Sequence, residues 1–453
     1  MDASTKPRDS APPSTVSFGQ ALRFWLKLGF ISFGGPAGQI AIMHSELVER
    51  RRWISEKRFL HALNYCMVLP GPEAQQLATY IGWLMHRTWG GLVAGGLFVL
   101  PSLLMLIALS WLYIAWGDVP VVAGLFYGIK PAVTAIVIQA AHRIGSRALK
   151  NRGLWAIAAV SFVAIMALDV PFPLIVLGAA TVGYGWGHWR PGDFKAAGHG
   201  ASPSGHGRAL IDDHTPTPAH ARFSWRGLAS VLVVGALLWT VPMVWLTLTW
   251  GWDHTLTQMG WFFTKAALLT FGGAYAVLPY VYQGAVSHFG WLTAAQMIDG
   301  LALGETTPGP LIMVVAFVGF VGGYVKALFG PESLFLAGAV AATLVTWFTF
   351  LPSFVFILAG GPLVESTHHE WRLTAPLTAI TAAVVGVILN LAVFFGYHVL
   401  MPQGMAGSVD GVSLVIALAA GVALFRFRRP VIHVIAGCGV AGLLVTLGRG
   451  WLV

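Results

Sequence analysis

Two lysines stand at matching distances before glycine pairs in otherwise apolar segments. Lys27 and Lys265 each lie seven residues before the first glycine of an FGG triplet, which is two helical turns and therefore the same helix face. Charged side chains inside membrane segments are costly and commonly mark ion or substrate paths. The pair therefore predicts contacts with an anion, although Lys27 could instead reach the membrane surface beside Arg23.

Carboxylates and neutral polar residues flank a second motif, PGP, which also occurs twice. Glu73 follows the first PGP and Glu305 precedes the second. An acidic residue in a first helical turn is an ordinary capping preference, so Glu73 has two equal readings. The other reading of Glu73 is a role in coupling, and Glu305, which lacks the capping explanation, is predicted to take part in coupling or in pairing with a lysine. Gln75, Thr306 and Thr307 could donate hydrogen bonds to an oxyanion or simply line a helix interface.

The FGG and PGP motifs predict breaks in the helices that carry these residues. Non-helical backbone at membrane depth is tolerated where protein or water satisfies it. Pro72 and Pro310 are expected to start new helices whose N–H groups face inward. Such ends can bind an anion without basic side chains; simple kinks are the alternative. The predicted binding positions in the two motifs are Gly34, Gly35, Gly71, Pro72, Gly272, Gly273, Gly309 and Pro310.

Composition identifies a polytopic membrane protein. Of 453 residues, 56% are hydrophobic and only 10% are charged, whereas soluble domains carry about 25% charged residues. The basic residues are scattered over short loops, which excludes a nucleic-acid patch. The first 17 residues are polar and contain no cleavable signal pattern, so we expect a cytoplasmic N-terminus.

The chain repeats itself. FWLKLGFISFGG, from Phe24, matches FFTKAALLTFGG, from Phe262, at an offset of 238 residues. The same offset relates Trp53 to Trp291 and the first PGP to the second. VLPS, ending at Ser102, corresponds to FLPS, ending at Ser353, after an insertion of 13 residues. A register held this long predicts two homologous halves.

A polar stretch separates the halves. It is rich in Gly, Pro, Ser and His and reads as a flexible linker. Its histidines lack the spacing of metal ligands, and neither a metal site nor a cofactor is predicted. The predicted organisation is a polar tail over 1–17, a first repeat over 18–186, a cytoplasmic linker over 187–226 and a second repeat over 227–453.

Charge decides the relative orientation of the halves. The loop after the first FGG carries Arg50, Arg51, Arg52, Lys57 and Arg58, whereas the aligned loop of the second half has no Lys or Arg. The positive-inside rule places these loops on opposite sides of the membrane. The fold is therefore predicted to be an all-α inverted-topology repeat with about 10 to 13 membrane segments, an architecture of secondary transporters. Residues 18–43 and 59–86 could each span or re-enter the membrane.

The motif blocks FGGPAGQIAIMHSELVERRRWISEKRF...LPGPEAQQ and FGGAYAVLPYVYQ...GETTPGPLIMVV resemble the chromate ion transporter family in its long, two-domain form. The resemblance implies a bacterial inner-membrane protein that expels chromate and confers chromate resistance, with the FGG and PGP residues as its signature. Many members have Gln where this chain has Glu305. The coupling mechanism therefore stays open.

Three further alternatives concern substrate, class and assembly. Sulfate or another oxyanion could be the substrate, with chromate incidental, because tetrahedral dianions would use the same N–H groups. An intramembrane enzyme is the remote alternative, and it would have to use residues such as His61 and its repeat equivalent Asp299. The chain has no nucleotide-binding loop, which fits a carrier driven by membrane potential or protons. The bilayer and, in a homodimer, a second copy are the other expected partners.

Overall fold

The computed structural model describes residues 15–33, 35–117, 119–190, 209–213, 215–271, 273–366, 374–404 and 408–450. Within these residues the chain is helical, and a single residue pair, Ile54 and Ile211, forms a β-bridge. The all-α prediction is confirmed.

The first half contains seven helices. A π-helical segment, Ser45–Arg50, continues the second of them. The helices are α1 (Phe18–Ile31), α2 (Gly35–His44), α3 (Glu56–Val68), α4 (Glu73–Trp116), α5 (Pro120–Ala148), α6 (Arg152–Leu168) and α7 (Phe172–Trp189).

The second half repeats this order after one additional helix, α8. A π-helical segment, Gln283–His288, again continues the second helix of the repeat. The 238-residue offset relates both of its ends to those of Ser45–Arg50. The helices are α8 (Trp225–Trp250), α9 (Thr255–Leu268), α10 (Leu278–Tyr282), α11 (Ala294–Thr306), α12 (Val314–Val325), α13 (Leu334–Ser366), α14 (Thr374–Leu400), α15 (Gly411–Phe425) and α16 (Val431–Gly450).

Helices α1 and α2 form a re-entrant hairpin. The 14 residues of α1 extend about 21 Å at 1.5 Å per residue, which is too short for a hydrocarbon core of about 30 Å. The chain then turns back along α1, because the ring of Trp53 lies 5.0 Å from that of Phe24 in the middle of α1. The short helix and the turn back along it favour the re-entrant alternative for residues 18–43.

A second re-entrant hairpin consists of α3 and the first arm of α4. Helical geometry fails at His86 and at Arg87, whose φ is 57°, and the chain reverses there. The two arms, residues 73–85 (α4a) and 88–116 (α4b), then pack antiparallel: a Cβ added to Gly91 would lie 3.0 Å from the Thr79 carbonyl oxygen. Small residues permit this close approach.

The second half builds the same hairpins from the opposite side. The rings of Phe262 and Trp291 lie 5.6 Å apart, which repeats the contact of Phe24 with Trp53. Helices α12 and α13 are antiparallel, because a Cβ on Gly319 would lie 2.9 Å from the Ala341 carbonyl oxygen and one on the later Gly323 would lie 2.5 Å from that of the earlier Ala337. The inverted repeat is thus confirmed in three dimensions.

Longer helices surround the hairpins. Six of the described helices are long and apolar enough to cross a membrane: α4, α5, α8, α13, α14 and α16. Helix α5 packs closely on α14 and α16: a Cβ on Gly145 would lie 3.2 Å from Val385, and one on Gly124 3.0 Å from Thr446.

The linker differs in part from the flexible segment that its composition indicates. Helix α7 continues to Trp189, and residues 191–208 and 214 lie outside the described residues. Further on, Ile211 donates its N–H to the Trp53 carbonyl at 3.0 Å, and the Ser55 hydroxyl donates to Asp213 at 2.6 Å. The described linker residues that follow position 208 therefore pack against the first repeat.

Candidate functional site at the hairpin tips

The tips of the hairpins from opposite sides meet through two reciprocal backbone hydrogen bonds. Gly309 N–H donates to the Ser32 carbonyl at 2.9 Å, and Gly71 N–H donates to the Thr270 carbonyl at 2.7 Å. The repeat offset relates Ser32 to Thr270 and Gly71 to Gly309. Each FGG break is therefore joined to the PGP break of the other half.

Local side chains prepare these breaks symmetrically. The Ser32 hydroxyl donates to the Leu28 carbonyl at 2.6 Å, and the Thr270 hydroxyl donates to the equivalent Ala266 carbonyl at 2.7 Å. These bonds satisfy carbonyls that a helix end would otherwise leave unpaired. The breaks are consequently ordered backbone features.

Glycine is required in both PGP motifs. Gly71 and Gly309 have φ values of 127° and 100°, a region that L side chains rarely adopt. A Cβ on Gly309 would lie 2.9 Å from the Ser102 Cβ, while one on Gly71 would meet Ser353 and Gln76. Ser102 and Ser353 are the final residues of the matched VLPS and FLPS motifs, so this contact also follows the repeat.

The prolines cap new helices, as their positions predict. Pro72 is the N-cap of α4a, and Pro310 precedes the 3-10 turn Leu311–Met313 that leads into α12. Since α2, α4a and α12 all begin at a tip, their N-terminal ends point towards the meeting level of the hairpins. These ends carry the positive poles of the helix dipoles.

Three glutamine amides from the first half surround the tips. Gln39 donates through Nε2 to the Gly309 carbonyl and to the Ser32 carbonyl at 3.3 Å, whereas Gln76 donates to the Pro70 carbonyl at 2.8 Å. The side-chain oxygens of Gln39, Gln75 and Gln76 are buried without a hydrogen-bond partner in the described structure. Buried polar atoms are normally paired, so the tips form an unusually polar centre.

Arg143 supplies a cation at this centre. A side chain added at Gly35 would meet its guanidinium, whose Nη2 lies 3.8 Å from the Cβ position. Gly35 and Gly273 both have positive φ, and no described atom lies within 4 Å of a Cβ at Gly273. The backbone after each FGG therefore borders open space, and on one side Arg143 faces it.

The acidic residues predicted for coupling lie close to arginines of α5. The Tyr275 hydroxyl donates to Glu305, and Arg143 is close enough to interact electrostatically with both. Glu73 interacts in the same way with Arg147, one helical turn further along α5. The positive charge that acts on each predicted carboxylate is thus an arginine of α5 and not a lysine.

Sequence reasoning missed Arg143. The basic run HRIGSRALKNR reads as a cytoplasmic loop, but α5 continues through Ala148. Arg143 and Arg147 are four residues apart on that helix, which places them on one face. This i, i+4 spacing next to an apolar run was the available signal.

The other predicted binding residues do not all lie at the hairpin tips. Lys27 and Lys265 lie on exposed faces of α1 and α9, and the Lys265 Nζ lies 5.7 Å above the Trp261 ring. The Thr306 and Thr307 hydroxyls donate to the Leu303 and Gly304 carbonyls of their own helix. Gly34 and Gly272 lie outside the described residues.

The two residues named for the enzyme alternative, His61 and Asp299, have different surroundings. Asp299 accepts a hydrogen bond from Tyr113 and pairs with Lys130, and neither contact involves His61. Among the described residues, no group of three His, Cys, Asp or Glu side chains could hold a metal ion.

Comparison with known proteins gives matches over both halves. The family model described as "Chromate transporter" matches residues 19–184 and 257–443. The chain is 34% identical to the chromate transport protein of Pseudomonas aeruginosa over 99% of its own length and 96% of that protein's. It is 28% identical to the chromate transport protein of Cupriavidus metallidurans over 95% of its length and 94% of the relative's.

A shorter relative corresponds to part of the chain. The uncharacterized transporter YwrB of Bacillus subtilis is 26% identical over 34% of this chain but 79% of its own length. No solved structure matches the chain.

Proposed function

Because the chain belongs to the chromate transporter family, we propose that it exports chromate from the cytoplasm across the bacterial inner membrane and thereby confers chromate resistance. The observation that carries this proposal is the polar centre at which hairpins from both sides meet beside Arg143. Inverted repeats that meet at membrane depth are typical of carriers with a central site.

The tip backbone and Arg143 suit a tetrahedral dianion. Helix N-termini offer N–H groups to an anion without a competing cation. A guanidinium adds two parallel donors that match oxyanion geometry. In this proposal the anion lies in the open space that Gly35 and Arg143 border, and the hairpins of one side open while those of the other stay closed.

The membrane potential favours export. Moving one charge through 100 mV is worth about 2.3 kcal/mol, so expelling a dianion from an inside-negative cell gains about 4.6 kcal/mol. Since each 1.4 kcal/mol is a factor of ten, this corresponds to a gradient of about a thousandfold. Glu305 and Glu73 are the proposed coupling groups if protons contribute.

Uptake of labelled chromate into inside-out vesicles tests the proposal. We expect the full chain to accumulate chromate and Arg143→Gln to lower the initial rate at least tenfold, because the anion loses its cation. Lys150→Gln is the matched control, since Lys150 is an exposed lysine just beyond the same helix. Vesicles that accumulate neither chromate nor sulfate faster than empty-vector vesicles would overturn the transport proposal.

Three variations of the assay separate the finer proposals. Sulfate that accumulates faster than chromate would make chromate the incidental substrate. Collapse of the membrane potential alone should stop uptake if the charge of the dianion drives it, whereas Glu305→Gln should alter its pH dependence if protons are coupled. Crosslinking in membranes tests the homodimer, and protease access to a tag on the N-terminus tests its cytoplasmic location.

A further inference from the structure

A water-accessible cavity lies at the opposite end of the molecule from the basic loops. It has a volume of about 780 Å³ and is lined by the end of α4b, the first part of α5 and the start of α11. The charge pattern of the loops puts these ends on the extracytoplasmic side. The polar side chains that matter there are Tyr113, Tyr127, Lys130, Gln296 and Asp299.

Lys130 and Asp299 form an unequal ion pair in this cavity. Lys130 Nζ lies 3.3 Å from Asp299 Oδ2, and the side chains are 32% and 2% exposed respectively. The Tyr113 hydroxyl donates to the same Oδ2 at 2.8 Å. The lysine therefore faces the cavity, while the carboxylate is held behind it.

The pair is incompletely satisfied. Asp299 Oδ1 is buried and has no hydrogen-bond partner in the described structure. An ion pair that serves stability normally needs every lone pair satisfied, because burial of the charges is costly. An ammonium also has three donors, and Asp299 engages one of them. The unequal pair therefore suits a lysine that exchanges its partner.

The other cavity residues fit an oxyanion. Gln296 adds an amide donor beside the lysine, whereas the Tyr127 hydroxyl in the cavity wall already donates to Asp410 at 2.6 Å. A water occupies about 30 Å³ in the liquid, so the cavity can hold such an anion with part of its hydration shell. Asp299 keeps the site near neutrality when no anion is bound, which makes binding reversible.

We propose that this cavity is a release site for the transported oxyanion, in which Lys130 binds the anion and Asp299 competes with it for the ammonium. The proposal rests on the function proposed above and extends it to a second site with a built-in competitor. An exit site needs modest affinity, and a carboxylate that reclaims the lysine supplies it.

Protection of Lys130 from chemical modification tests the site directly. Intact cells that produce the full chain are treated with a membrane-impermeant amine reagent, and modification is read by mass spectrometry. External chromate should protect Lys130, whereas chloride at equal ionic strength should not. Lys326, an exposed lysine next to the cavity-lining Val325, is the internal control and should react equally in both salts.

Substitution of Asp299 sharpens the test. Asp299→Asn removes the competitor, so half-protection of Lys130 should shift to at least tenfold lower chromate. In vesicles, Lys130→Gln/Asp299→Asn should transport at least tenfold more slowly than Asp299→Asn alone, although both lack the carboxylate and neither leaves a buried charge unpaired.

The outcomes distinguish the two proposals. Lys130 that is unreactive, or reactive but unprotected by chromate, overturns the release site even if transport is normal. Equal transport by Asp299→Asn and the double variant does the same. Protection without any transport of chromate or sulfate would instead overturn the proposed function and leave a binding cavity without a release role.

Discussion

The two halves of the molecule are alike in backbone and unlike in side chains. Both halves contribute one partner to each reciprocal hydrogen bond, and both use a positive-φ glycine in PGP. Tyr275 and Glu305 at the tips come from the second half, opposite Ala37 and Met67 of the first. Three glutamines and Glu73 come from the first half, and the repeat offset places apolar residues opposite them. The pairs are Gln39 with Val277, Glu73 with Leu311, Gln75 with Met313, and Gln76 with Val314.

Arg143, the cation at the tips, likewise has no counterpart in the second half. Arg143 belongs to α5, whereas the corresponding helix of the second half, α14, contains no Lys or Arg between Thr374 and Leu400. The residues that the two halves share thus form the backbone of the hairpins. The residues that differ between the halves include the side chains that are proposed to contact the substrate. A carrier needs the shared backbone to alternate between two sides and the differing side chains to bind one kind of ion.

The ends of the molecule differ in a related way. At the end that carries the basic loops, Glu365 accepts hydrogen bonds from Arg58 at 2.8 Å and from Tyr80 at 2.5 Å, one on each oxygen. Arg58 also donates to the Thr215 carbonyl at 2.6 Å, which ties the linker to the cluster. At the other end, the pair of Lys130 and Asp299 leaves one carboxylate oxygen without a hydrogen-bond partner among the described residues. The first cluster is closed and structural, and the second is open to its cavity.

The largest effect is expected at the closed cluster. Glu365→Gln leaves Arg58, whose side chain is only 15% exposed, without its carboxylate, and breaking a buried pair costs about 3 to 5 kcal/mol. Denaturant unfolding in detergent should show this loss, and Arg58→Gln/Glu365→Gln should recover part of it.

Asp299→Asn is the counterpart at the open cluster. It should cost less than about 1 kcal/mol, because Lys130 can turn towards the cavity and be solvated. Equal losses at Glu365 and Asp299 would contradict the distinction between the two ends.

The second-largest effect is expected at the PGP glycines that both halves share. Gly71→Ala and Gly309→Ala should each lower stability by about 2 to 3 kcal/mol, since the left-handed region costs an L residue about 1 to 2 kcal/mol and the added Cβ crowds its neighbours. Thermal midpoints would be compared with that of Gly96→Ala, whose Cβ would meet no described atom within 4 Å. If either alanine variant were as stable as the control, the two PGP glycines would not have the same structural role.

A smaller effect is expected at the polar side of the tips. Gln39→Val introduces the residue type of the second half and removes the hydrogen bonds to the Ser32 and Gly309 carbonyls, at a net cost of about 1 kcal/mol each. Gln139→Val is the control, because its amide makes one long bond of 3.3 Å to the Leu424 carbonyl. If Gln39→Val were no more destabilising than the control, the tips would not depend on side chains from the first half.

The sequence predicted the repeat and its helix breaks because glycine and proline determine the backbone conformation at those positions. Glycine, proline and loop charge fixed the repeat, the breaks and the inversion, and the structure confirms these features. The centre was harder to predict, since Arg143 reaches it from a different helix, α5, and Tyr275 reaches Glu305 across a break. Contacts of this kind depend on packing that a repeat offset does not contain. Whether the hairpins spanned or re-entered was also open, because the reversal at Arg87 lacks a Gly or Pro at that residue.

The smallest effects are expected at the repeat-equivalent lysines. Their matched spacing predicts two anion contacts, but both side chains lie on exposed faces. Lys265 lies above the Trp261 ring, an arrangement worth about 0.5 to 1 kcal/mol at exposed sites. We therefore expect Lys265→Gln and Lys27→Gln to retain more chromate transport than Arg143→Gln in the same vesicles, with a small stability loss confined to Lys265. A transport loss as large as that of Arg143→Gln would restore the lysines as substrate contacts and would make the binding side chains as symmetric as the backbone.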